Sequence, residues 1–347
     1  MLGSKFESPF LSKTAGIWRM RVTASKHLRA GWLVTALAVS YAAGLVAPRV
    51  CGASLGFPIV TSYSSTDIGT DAMSWVTVQD SDGVLYFGCS ALVSFDGDRW
   101  GITSMDDAYA LRGLDFGSDG RLWAAANGNI GWFARLPGSH WGCHSLLAQI
   151  PPQDRQLGEA WNVFAESTGA VFVLRDQILR WKGKAFQRWL MPGTGRLEAM
   201  RSGGTIFVHH RPTGLYVMTP DGPRKVIPAE SLPDSSIYWL ERTSNGWLFA
   251  TSNGLYNLVA GHLQPFAPVA SELVRRFALT CALRLPDGRL ALGTFRGGII
   301  LVGSDGALDH VLDAADGLPT PVIYSLRVDR DGQLWATSGS HIFRIGI

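Results

Sequence analysis

Charge is scarce in this chain. Only 17% of its 347 residues are Asp, Glu, Lys or Arg, against about a quarter in ordinary soluble domains. What charge there is sits unevenly. Residues 1–53 hold seven basic residues (Lys5, Lys13, Arg19, Arg21, Lys26, Arg29 and Arg49) and one acid, Glu7. Of the 31 basic and 28 acidic residues in all, 24 and 27 remain after that segment, so the formal +3 becomes about −3. A nucleic-acid face needs clustered Lys and Arg. No such cluster exists, and nucleic acid is excluded as a partner.

Cysteine is also rare. Cys51, Cys89, Cys143 and Cys281 form no CxxC pair, and four in a chain this long make no disulfide framework. They read as small buried hydrophobes. The signatures of common chemistries are missing too. There is no Gly-x-Ser-x-Gly elbow, no phosphate-binding GxxxxGK[ST] loop and no HExxH. The one His/Cys cluster, His140-Trp141-Gly142-Cys143-His144, has no evident further ligand and is assigned to the connection between repeats two and three. His209 and His210 are neighbours in a strand-like run and face opposite ways. Asp96, Asp98, Asp106 and Asp107 fall in loops. Paired carboxylates for glycoside cleavage are brought together in space, so sequence spacing does not test them. No catalytic residue, metal or cofactor is assigned.

Long apolar runs are nearly absent, with one exception. Gly31 to Ala47 is 17 residues without a charge, preceded by Arg21, Lys26 and Arg29 and followed by Arg49 and Cys51-Gly52-Ala53. A basic stretch, an apolar stretch and small residues make a secretory signal. Cleavage is expected after Ala53, with a retained membrane anchor as the alternative. Either way the basic flank stays inside and the rest is exported to the periplasm or beyond. A start at Met20 gives the more ordinary signal. Cys51 lacks the small-residue context of a lipid-anchored cysteine.

Glycine and tryptophan are plentiful, at 40 and 13 residues. From residue 75 a pattern recurs: an apolar strand, a turn ending in Gly, a second strand, then a third opened by Gly. The copies lie near 75–100, 112–133, 161–189, 197–218, 238–258, 280–302 and 324–347. Their turn glycines are Gly83, Gly120, Gly169, Gly204, Gly246, Gly288 and Gly332, spaced 37, 49, 35, 42, 42 and 44 residues apart. A period near forty with short strands marks a β-propeller blade, and no long helical repeat supports a helical solenoid. The expected fold is all-β: a seven-bladed propeller over residues 54–347, following a signal peptide or anchor over 1–53. The last copy ends after its third strand. Its fourth is expected from Phe57 to Tyr63, since an open ring would leave bare sheet edges.

Asp329-Arg330-Asp331-Gly332-Gln333-Leu334-Trp335-Ala336-Thr337, preceded by Asp316-Gly317-Leu318-Pro319, and Asp80 to Gly88 carry a family resemblance. The repeats resemble the two-component regulator propeller. Copies three and four depart from it at Thr168-Gly169 and Gly203-Gly204, with no Trp after the turn. The resemblance covers about residues 55–347. It implies an extracytoplasmic sensor input. In that family the propeller is usually followed by an immunoglobulin-like module, a membrane helix and a cytoplasmic output, none of which follows blade seven here. A membrane-bound signalling partner is therefore implied.

Eight residues before each turn glycine stand Trp75, Arg112, Trp161, Arg196, Tyr238, Thr280 and Tyr324. This register opens the innermost strand, at the mouth of the central channel. Aromatic faces and Arg forks suit sugars, carboxylates and aromatic ligands. Trp75, Arg112, Trp161, Arg196, Tyr238 and Tyr324 are therefore candidate binding residues for a small molecule or glycan. Packing between blades accounts for large residues there equally well. The main expectation is a ligand-sensing or binding module. A secreted propeller enzyme acting on polysaccharide and a protein-interaction scaffold are the alternatives.

Overall fold

The computed structural model describes residues 58–105, 110–137 and 140–347; the expected signal or anchor over 1–53 lies outside them. The described residues form seven four-stranded antiparallel sheets. Blade one is β2 (Val76–Gln79), β3 (Leu85–Gly88), β4 (Leu92–Phe95) and β5 (Trp100–Thr103). Blade two is β6 (Leu111–Phe116), β7 (Leu122–Ala126), β8 (Ile130–Arg135) and β9 (Trp141–Ser145). Blade three is β10 (Ala160–Glu166), β11 (Gly169–Leu174), β12 (Gln177–Trp181) and β13 (Phe186–Leu190). Blade four is β14 (Leu197–Ser202), β15 (Thr205–His210), β16 (Gly214–Thr219) and β17 (Gly222–Pro228). Blade five is β18 (Ile237–Thr243), β19 (Gly246–Thr251), β20 (Gly254–Val259) and β21 (His262–Phe266). Blade six is β22 (Leu279–Arg284), β23 (Leu290–Thr294), β24 (Ile299–Val302) and β25 (Leu308–Leu312).

Blade seven takes β26 (Ser325–Val328), β27 (Leu334–Thr337) and β28 (His341–Ile345) from the C-terminal end, and its outer strand β1 (Val60–Ser64) from the N-terminal end. The pairing runs from Val60 opposite Ile345 to Ser64 opposite His341. This is the expected latch, beginning at Val60. The innermost strands touch in turn around the ring, including β26 against β2.

Burial explains the strand pattern. Second strands are covered on both faces by adjacent blades, so they read as continuous apolar runs such as Leu122–Ala126, every residue of which is buried. Fourth strands are largely solvated, as in Phe186–Leu190 and His262–Phe266, neither of which has a buried residue. The core is divided accordingly. Each pair of adjacent blades shares one hydrophobic cluster, seven in all among the described residues. The seventh joins blade seven to blade one through Phe87, Phe95, Trp335 and Ile342, with Tyr63 and Trp100 packed on it. A helix, α1 (Ser65–Ile68), follows the latch, and α2 (Pro268–Phe277) links blades five and six. No helix of the described residues is long and apolar enough to cross a membrane.

The Asp-x-x-Gly-x-Leu-Trp pattern has a local cause. Asp329 accepts the Asp331 and Gln333 amides on Oδ1, each at 2.9 Å, and the Trp335 indole N–H on Oδ2 at 2.7 Å. Asp80 repeats this with the Asp82 and Val84 amides and the Tyr86 hydroxyl, each at 2.9 Å. One carboxylate thus fixes both the hairpin turn and the next aromatic. Gly332 supplies the positive φ of 80° that the turn requires.

Candidate functional site

The register counted back from the turn glycines is a structural one. In blades two, three, five and six the residue at this position is the extra residue of a β-bulge. Arg112 is skipped between Leu111 and Gly113, Trp161 between Ala160 and Asn162, Tyr238 between Ile237 and Trp239, and Thr280 between Leu279 and Cys281. A bulge turns a side chain away from the ladder and re-aims it. In these four blades it takes one side chain out of the ladder. Trp75, Arg196 and Tyr324 precede their innermost strands by one residue.

The structure brings most of these groups into contact. The Arg112 guanidinium lies 3.7 Å from the Trp75 ring centre and 4.7 Å from that of Trp161. Arg196 lies 3.9 Å from the Trp161 ring centre. Trp75 stacks on Tyr324 with centroids 4.3 Å apart, and Tyr324 meets Phe295 at 6.3 Å. The sequence Phe295, Tyr324, Trp75, Arg112, Trp161, Arg196 is therefore one unbroken ladder across blades six, seven, one, two, three and four. Tyr238 of blade five is 37% exposed. Burial and the Glu198 carboxylate push its hydroxyl pKa up, and Arg196 opposes them.

Thr280 does not join the ladder. Its hydroxyl hydrogen bonds to the Gly293 carbonyl at 2.9 Å and to that of Ile323. Phe295, in the loop between β23 and β24, represents blade six instead. The sequence reading missed it because it is displaced from the counted register, and the polar Thr280 among aromatics and arginines was the available signal.

A close approach of blades two and three allows the stacking. A Cβ on Gly113 would lie 2.8 Å from the Val163 nitrogen and 3.0 Å from the Asn162 Cα. Any side chain there would push the innermost strands apart beneath Arg112 and Trp161.

The arginines are charged groups without carboxylate hydrogen bonds. Arg112 Nε and Nη1 are buried with no partner, as are Trp161 Nε1 and Asn127 Oδ1. Burial lowers the Arg112 pKa; Glu159 opposes the shift and Arg196 adds to it. Each cation–π contact contributes about 0.5–2 kcal/mol, whereas each orphaned buried donor costs about 1–3 kcal/mol. The two terms are comparable, so stacking alone leaves the Arg112 donors poorly compensated.

Deeper on the innermost strands the charges are mostly paired. Arg201 Nη1 bonds Asp115 Oδ2 at 2.8 Å, and Asp115 also accepts the Ala165 amide at 2.7 Å. Arg284 pairs with Glu241. The first bridge joins blades two and four past Ala165 of blade three, and the second ties blade five to blade six.

The His/Cys cluster differs from its sequence reading. Trp141–Ser145 is β9, the outer strand of blade two, not a connection. Strand alternation separates its side chains: Cys143 packs on the cluster between blades one and two, while His144 stacks on Trp132 with centroids 5.4 Å apart. Among the described residues, no group of three or more His, Cys, Asp or Glu could hold a metal ion. His209 and His210 part as expected, His209 Nδ1 to Glu198 Oε2 and His210 Nδ1 to Thr213 Oγ1, each at 2.7 Å.

Fold and mouth together define a seven-bladed propeller with a ladder of cations and aromatics at one end of its channel. No family model and no curated protein matches the sequence. Solved propellers do. The extracellular domain of the hybrid two component system BT4673 from B. thetaiotaomicron matches with a TM-score of 0.60 and 13% identity, over 80% of this chain and 38% of that one. That of BT3049 from the same organism matches with a TM-score of 0.58 and 14% identity, over 79% and 40%. Virginiamycin B lyase from Staphylococcus aureus matches with a TM-score of 0.61 and 11% identity, over 84% and 99%. The chain thus spans about two fifths of the length of the two-component domains. At these identities the likeness is one of fold.

Proposed function

We propose that this chain is an extracytoplasmic ligand-sensing propeller, similar in role to the input domain of a two-component receptor, and that its ligand binds at the channel mouth. One observation carries the reading: Arg112 is held between the Trp75 and Trp161 rings and Arg196 rests on Trp161, so four successive blades each contribute one group, and Arg112 Nε and Nη1 are buried without a hydrogen-bond partner. Rigid planar groups and unfilled donors at a concave end are what a small-molecule site needs. A ligand touching several blades at once would stiffen the ring, and a membrane-bound signalling partner would read that change. The basic and apolar segment within residues 1–53 would export the domain.

The test is a thermal-shift screen of small acids, sugars and glycans, followed by calorimetry. Binding raises Tm in proportion to ligand occupancy. Trp161→Ala or Arg112→Ala should abolish the shift while the protein stays folded. A hit whose shift survives both changes would remove the mouth from consideration. A lyase or hydrolase reading draws on the fold shared with virginiamycin B lyase. It requires product formation from the hit, and binding without turnover counts against it.

A further inference from the structure

We propose that the mouth takes a monocarboxylate borne on a ring, with the carboxylate held by Arg112 and Arg196; this rests on the reading of the mouth as the ligand site. The orphaned atoms carry the argument. Arg112 Nε and Nη1, Trp161 Nε1 and Asn127 Oδ1 are all buried without a partner, and they share one sector of the ring. The Asn127 amide donates to the Ala110 carbonyl at 3.1 Å, two residues before Arg112. Asn127 also forms an isolated bridge with Glu159, two residues before Trp161. The sector therefore offers three donors and one acceptor, and a ligand that satisfies it must chiefly accept. A carboxylate does so with two coplanar oxygens, matched to the edge of a guanidinium whose faces are already covered by Trp75 and Trp161. The single acceptor, Asn127 Oδ1, suits a hydroxyl on the same ligand.

Charge selects among anions. Two guanidinium groups stand in the sector; Glu159 acts on Arg112 through its field, and Glu198, which acts on Tyr238, is hydrogen-bonded to His209 and the Ile237 amide. With Glu198 so engaged, the two arginines and Glu159 leave one positive charge for a monoanion to balance. A phosphate dianion would leave excess negative charge beside Glu159. The ring is inferred from the two ends of the belt. Phe295 is 46% and Tyr238 37% exposed, and both present aromatic surface to a flat ligand body.

A ring carboxylate could be an acidic sugar or an aromatic acid, and paired probes separate them. Calorimetry on the full chain would use galacturonate against galactose, and benzoate against benzyl alcohol, at low and high salt. One or both acids should bind, their neutral counterparts should not, and salt should weaken the binding. Arg196→Gln lies at an exposed position and should lower Tm by no more than about 2–4 °C through its lost contact with Trp161, while weakening acid binding about ten-fold or more. Binding of only one acid identifies the source. If the neutral probes bind as well as the acids, and Trp161→Ala but not Arg196→Gln abolishes this, the carboxylate proposal is wrong and the mouth remains the site. If acid binding is untouched by both substitutions, the proposal and the mouth reading fall together. Failure of both acids to bind at millimolar concentration overturns the proposal.

Discussion

Replacing Tyr63 by alanine removes the side chain on which the latch strand, blade seven and blade one converge. The ring lies 5.6 Å from Phe95, 5.3 Å from Trp100 and 6.0 Å from Trp335, centre to centre. Phe95 and Trp100 belong to blade one and Trp335 to blade seven, so the contact spans the one interface that joins the chain's two ends. Truncating a fully buried aromatic costs about 3–5 kcal/mol. Tyr63 is half-buried, which reduces this to about 2 kcal/mol, and losing the paired ring geometry adds about 0.5–1 kcal/mol. The expected total, about 2–3 kcal/mol, lowers Tm by about 4–8 °C in a domain of this size. Urea unfolding followed by tryptophan fluorescence measures the energy. Hydrogen exchange on the β28 amides reports whether the edge opens. Tyr63→Phe keeps the ring and should stay within about 0.5 kcal/mol of the parent protein. If Tyr63→Ala also stays within that margin, with unchanged β28 exchange, then backbone pairing alone closes the ring and the aromatic argument is refuted.

Asp329→Ala strands the Trp335 indole N–H and two turn amides, and should cost about 2–4 kcal/mol; an unchanged urea midpoint would contradict the role given to the repeat's aspartate. Gly113→Ala should force blades two and three apart for about 1–3 kcal/mol, and near-UV circular dichroism should register the disturbed Arg112–Trp161 contact. Burial pushes the Cys89 and Cys281 thiols up to about 12. Both should resist iodoacetamide at pH 8 in the native protein and react in urea, as read by mass spectrometry. The same raised values mean that the folded state holds these protons longer than the unfolded chain. Stability should therefore decline as pH rises from about 9 towards about 12, and a flat profile there would argue against their burial.

The sequence alone determined the blade count, because each hairpin needs a glycine at a fixed place and the covered second strands leave apolar runs behind them. It also determined the latch, since seven copies with one incomplete have a single way to close. The register of the mouth was legible for the same reason: a fixed distance from a turn glycine is a fixed height in the ring. Much else was decided only in three dimensions. The fourth strands, such as His262–Phe266, are largely exposed, so no continuous apolar run marks them, and in sequence the His140–His144 segment reads as a connection. Phe295 reaches the mouth from a loop, outside any register. Thr280 keeps its place in the register yet turns to backbone carbonyls. Above all, the interleaving of Arg112 and Arg196 with Trp75 and Trp161 depends on how closely neighbouring blades approach. Inter-blade packing sets that distance, and no spacing along the chain encodes it.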